Sequence, residues 1–206
     1  MRKQKGDGVN MIKRGDFVKC TRDIYAITDR DTVCLVINDS NSWNELPPNR
    51  ISVMVIEDYN SNRGFRGIGC IYTVVAEYFE KIDYVDEQKR DRERMHKLIM
   101  KLANNNMPTT REKINNYASK RQLATHFSNE KRNTLYIGYV EDCILKAYEI
   151  SLNAVTNDVR CIYFHEINCL DVGGTYDYGE IRTIEELLRK NKRKVKTTKI
   201  FEEENV

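Results

Sequence analysis

Cys161, His165 and Cys169 stand four residues apart, and thiolates with an imidazole are donors that zinc prefers. The segment CIYFHEINC that carries them alternates like a strand, which puts all three on one face. At about 3.3 Å per residue the outer two then lie about 26 Å apart. Zinc bonds are only about 2.0–2.3 Å long, so one ion reaches all three only if the segment bends sharply. A buried strand with two small thiols accounts for the same residues, and we assign neither metal nor cofactor. Catalytic patterns are sparse elsewhere. There is no Walker-type loop, no GxSxG and no HExxH. Gly64-Phe-Arg-Gly67-Ile-Gly69 lacks the spacing of a phosphate loop and reads as a turn. His96, His126 and His165 are widely separated, and no Ser/His or Cys/His relay can be argued from them. The expectation is a protein that is not an enzyme, with no catalytic residues.

The basic residues form a stronger pattern. Net charge is only +3, yet residues 88–132 hold 12 Lys/Arg against 4 Asp/Glu. A concentrated cationic surface is the electrostatic footprint of a nucleic-acid binder, and a solvated helix face laced with ion pairs is the bland alternative. The candidate contacts are Arg90, Arg92, Arg94, Lys97 and Lys101, followed by Arg111, Lys113, Lys120, Arg121, Lys131 and Arg132. Such cations would meet phosphates, giving binding that is largely independent of sequence and falls steeply with salt. A second basic run, seven Lys/Arg between Arg189 and Lys199, lies near the C-terminus.

Helical periodicity positions the first of these groups. Met95, Leu98, Ile99 and Leu102 recur at i, i+3, i+4 and i+7, an amphipathic helix with the bases on its other side. Pro108 forbids its continuation, and Thr109 with Glu112 is a capping box that predicts a second helix running to about Ser128. TTREKINNYASKRQLATHF faintly resembles a helix-turn-helix reader. The stretch 134–155 fits either a helix through Tyr136, Val140, Cys143, Ala147 and Ile150 or alternating strands. Its length and its Ala, Leu, Lys and Glu content favour helix. Val159 to Ile167 reads as a strand. Thr183 with Glu186 caps a short helix from Ile184 to Lys190, and 191–206 reads as a frayed charged tail.

The N-terminal part has another texture. Phe17 to Cys20, Val33 to Ile37, Ile51 to Ile56 and Ile71 to Val75 are short apolar or alternating runs between polar turns. A single helical turn near Glu77–Ile82 closes them. Gly15-Asp16-Phe17-Val18-Lys19, Tyr25-x-Ile27-Thr28, the Val-rich strand and the closing Tyr78-Phe79-Glu80-x-Ile82 together resemble Src-homology-3-like small barrels. They resemble more loosely the KOW type of ribosomal and elongation proteins, and barrel domains of small bacteriophage proteins. The chain departs from the KOW pattern at Thr28-Asp29-Arg30-Asp31, where that type carries glycines. The resemblance covers residues 12–83 and implies a binding platform from a phage-type protein. Tyr25, Trp43, Tyr59 and Phe65, with Tyr72, would offer a surface for single-stranded bases or a peptide.

Together these readings predict an α+β chain: a flexible basic leader (1–11), a small bent β-barrel (12–86), a mainly helical basic α+β domain (87–190) and a tail (191–206). The leader lacks the apolar core of a secretory signal, and Met11 offers an alternative start. No run reaches the ~18 apolar residues of a membrane span. Six scattered cysteines without a CxxC pair fit a reducing cytoplasm, bacterial or phage-infected. The functional expectation is a non-enzymatic, nucleic-acid-binding regulator, DNA or RNA, with the barrel as docking module. The alternative is a protein-interaction module that binds an acidic host protein.

Overall fold

The computed structural model describes residues 11–24, 30–39, 46–57, 68–84, six helical positions between 93 and 100, 124–127, 133–156, 158–172, 181 and 183–202. Two five-stranded antiparallel sheets account for most of them. The first is built from β1 (Phe17–Cys20), β2 (Val33–Asp39), β3 (Arg50–Glu57), β4 (Ile71–Val75) and β5 (Phe79–Lys81), in the order β4-β3-β2-β1-β5. Every residue of β2 is buried, because the central strand of a sheet covered on both faces has no solvent side. Cys34 and Val36 join a cluster with Val18, Ile51, Val53, Tyr72 and Phe79, while Val33, Leu35 and Ile37 enter a different cluster on the opposite face. Asp31 takes the left-handed conformation (φ 72°), which aspartate visits more readily than most residues with a side chain.

This sheet does not close. Its two ends, β4 and β5, are joined by the 3₁₀ turn Ala76–Tyr78, and no ladder pairs them among the described residues. The expected barrel is therefore an open sheet, although its strands lie where the apolar runs place them.

The second sheet replaces the expected helical domain. It is a meander of β6 (Ala124–Phe127), β7 (Thr134–Glu141), β8 (Ile144–Leu152), β9 (Val159–Asn168) and β10 (Lys196–Glu202), in the order β10-β9-β8-β7-β6. The helix expected over 134–155 is thus the β7–β8 hairpin, turned by Asp142 (φ 49°) and Cys143 (φ 60°). Two successive left-handed residues form the tight turn whose twist matches the flanking strands. Residues 124–127, expected to end a second helix, pair with β7, and 196–202 of the expected tail pair with β9. The expected strand over 159–167 is β9. The short helix spans Ile184–Lys190, with Thr183 Oγ1 accepting from the Glu186 amide at 3.2 Å. Glu93, Arg94, His96, Lys97, Ile99 and Met100 are helical, as the amphipathic pattern predicts.

One apolar cluster is common to both sheets. Leu35, Ile37, Met54 and Ile71 of the first sheet meet Tyr136, Val140, Leu145, Ala147 and Ile167 of the second, with Ile184 and Leu187 of the helix. A backbone bridge pairs Ile71 with Ile181, and the Arg14 guanidinium donates to the Leu170 carbonyl. Ile184 sits between two glycines: Gly138 on β7 and Gly69 before β4 both leave room for its side chain.

Candidate functional site

In an antiparallel sheet, residues directly opposite one another point to the same face. On one face of the second sheet the register aligns Thr134, Ser151, Cys161 and Glu202 in a first row. Tyr136, Glu149, Tyr163 and Lys199 form the next, and Gly138, Ala147, His165 and Thr197 the third. The β7 end of this face is covered by Ile184 and the shared core. Toward β9 and β10 it turns polar.

His165 is the centre of the polar part. It is 8% exposed, and a buried imidazole needs partners for both nitrogens. Nε2 lies 3.0 Å from Glu149 Oε2 and Nδ1 lies 2.9 Å from Thr197 Oγ1. This chain of bonds crosses three strands and fastens the edge strand β10 to the middle of the sheet. Half-buried Tyr163 stands beside it, its ring 6.5 Å from the imidazole and inclined by 28°. Directly opposite Tyr163, Lys199 pairs with Glu202 at 2.6 Å. The hydrogen bond and charge of Glu202 raise the Lys199 ammonium above its ordinary pKa, with a smaller contribution from Tyr163.

His165 therefore sits in a strand network, and the Cys-His-Cys candidate, to which the sequence assigned no metal, divides between a strand and a turn. Cys161 is half-buried in β9, whereas Cys169 has left the strand for the 3₁₀ turn Cys169–Asp171 and is fully buried. Burial pushes the Cys169 thiol up to about 12, which makes it a poor source of thiolate.

The basic residues that the structure brings together are those of the C-terminal run. Arg189 and Lys190 end the helix, Lys192, Arg193 and Lys194 occupy the following turn, and Lys196 and Lys199 lie on β10; all are exposed. No acidic residue falls between Arg189 and Lys199. The turn is built rather than loose: buried Asn191 donates from Nδ2 to the Leu187 carbonyl at 3.0 Å, and the Lys194 amide donates to the Asn191 carbonyl at 2.8 Å. Lys194 Nζ also donates to the Asp171 carbonyl at 2.7 Å. The signal for this site was the run itself, which reads as a tail unless the β-branched and aromatic residues of KTTKIFE are credited.

Of the earlier candidates, Arg94 and Lys97 are exposed on the helical segment. That segment lies on the opposite face of the same sheet: Ile99 is buried beside Tyr148, Ile150 and Ile162, and the His96 imidazole meets the Tyr148 hydroxyl. Ile200 and Phe201 of β10 pack against the same cluster. Arg90, Arg92, Lys101, Arg111, Lys113, Lys120, Arg121, Lys131 and Arg132 lie outside the described residues, as do Tyr25, Trp43, Tyr59 and Phe65. Tyr72 is 3% exposed inside the first sheet's own cluster, so it presents no surface.

Among the described residues no helix is long and apolar enough to cross a membrane. Compared with known proteins, the chain matches no family model, no curated protein and no solved structure.

Proposed function

We propose that this protein binds nucleic acid without transforming it, holding the phosphate backbone through the cations of the helix end, the 191–195 turn and β10. The observation that supports this most is the exposed series of seven Lys/Arg from Arg189 to Lys199, uninterrupted by acids in sequence although Lys196 and Lys199 pair with Glu166 and Glu202, and carried on a hydrogen-bonded turn rather than on a free tail. Fixed cations lose less side-chain and backbone freedom on meeting phosphates than cations on an unstructured segment would. The exposed Arg94 and Lys97 add positive charge on the other face of the sheet that carries β10. The 88–132 excess would extend it.

Fluorescence anisotropy with duplex DNA, single-stranded DNA and RNA at about 50 and 200 mM salt tests the reading. Affinity should fall by orders of magnitude between the two salts. A Lys192→Ala/Arg193→Ala double variant should weaken every nucleic acid alike and flatten the salt slope by about two phosphate contacts. If no nucleic acid binds at the lower salt, the reading is wrong. Retention of an acidic protein partner after nuclease treatment would then favour a protein-interaction role.

A further inference from the structure

Resting on the phosphate reading above, we propose that the form of nucleic acid this protein takes is single-stranded, with a base stacked on Tyr163 while neighbouring phosphates meet Lys199 and the basic turn. The placement of Tyr163 carries the argument. Its ring lies on a sheet face, half-buried, directly across from Lys199 on the exposed edge strand. The imidazole beside it is held at both nitrogens, by Glu149 and by Thr197, so Tyr163 lies next to a ring of fixed orientation. Glu149 is the one carboxylate in Tyr163's own row, and its side chain is 13% exposed and bonded to His165, which turns that charge away from an approaching phosphate. The aromatic residues on the opposite face do not compete. Tyr148 is fully buried and packs at a tilt against Phe164, in the cluster that also holds Ile99 of the helical segment.

Duplex and single strand differ in what they can give such a site. Both offer phosphates to Lys199, Lys192 and Arg193, whereas Lys196 lies on the other face of β10 against Glu166. A duplex keeps its base faces stacked inside, so a flat aromatic on a sheet gains nothing from it. A single strand can splay a base onto the ring, and base–aromatic stacking is worth about 5- to 150-fold in affinity, with little regard for sequence. Lys199 must exchange Glu202 for phosphate on binding. That exposed ion pair is weak enough to be given up.

The test is anisotropy with a thymidine homopolymer and with a duplex of equal length, using wild type, Tyr163→Phe, Tyr163→Ala and Glu202→Gln. Wild type should hold the single strand more tightly than the duplex at equal salt. Tyr163→Ala should weaken the single strand by about tenfold and leave the duplex unchanged, and Tyr163→Phe should keep most of the affinity. Glu202→Gln should strengthen both. Tyr163→Leu keeps apolar bulk without the ring and serves if the alanine variant fails to fold; it should behave as the alanine variant does. Equal binding of both forms, unmoved by the loss of the ring, overturns the stacking site and leaves the phosphate reading standing. Absence of all binding at low salt overturns both.

Discussion

Ile184 shows how much of this architecture turns on single atoms. It is 1% exposed and wedged between Gly138 of β7 and Gly69. A Cβ at Gly138 would run into the end of its side chain, and a Cβ at Gly69 would lie 3.3 Å from its Cγ1. Gly138→Ala is therefore expected to destabilise the protein by about 1–3 kcal/mol through overpacking. Ile184→Ala alone leaves a cavity and costs about 2–5 kcal/mol. Because the added methyl would partly fill that cavity, the double variant should cost clearly less than the two single changes combined. Urea midpoints of the three variants check this, and strict additivity would show that Gly138 is not reserved for Ile184. Little of this was legible beforehand. Gly138 read as one residue of an ambiguous segment, and only the fold reveals what faces it.

The elements that were legible are those with one buried face or a self-announcing boundary. The capped helix Ile184–Lys190 is signalled by Thr183 and Glu186, and β9 by its alternation. β7 and β8 hid for the opposite reason. Leu135, Tyr136, Ile137 and Val140 are all buried, so β7 has no polar period, and its apolar residues fit a helical seam equally well. The turn between them gave no warning either, since Asp142-Cys143 lacks the glycine that usually marks a two-residue hairpin. β10 hid behind its lysines, which on an edge strand discourage pairing with other chains. The hairpin assignment makes its own prediction at Cys143 (φ 60°). Cys143→Val should cost about 1–2 kcal/mol, because a β-branched residue is strained in left-handed backbone. Cys143→Gly should remain within about 1 kcal/mol of wild type, relief of strain offsetting the lost half-buried side chain and the freer unfolded chain. Chemical denaturation orders the two. A valine variant as stable as the glycine one would contradict the turn.

At the scale of the whole molecule, the surface and the core are coupled through the shared cluster. Leu35, Ile37, Met54 and Ile71 are buried against the second sheet and the helix that ends in Arg189 and Lys190, so the first sheet helps to hold the basic turn in place. The first sheet thus contributes to the proposed interface by packing even where it offers no contact. This argues for one cooperative unit, since apolar area buried between the sheets cannot be lost on one side alone. Leu145 on β8 is fully buried in that cluster, and Leu145→Ala should cost about 2–5 kcal/mol. Native-state hydrogen exchange reads where the loss is felt, because amides that open only in global unfolding report the global free energy. The amides of β2, in the other sheet, are expected to speed up by the same factor as those of β8 and β9. If β2 kept its wild-type exchange while β8 accelerated, the sheets would be unfolding separately. The basic turn would then depend on the second sheet and its helix alone.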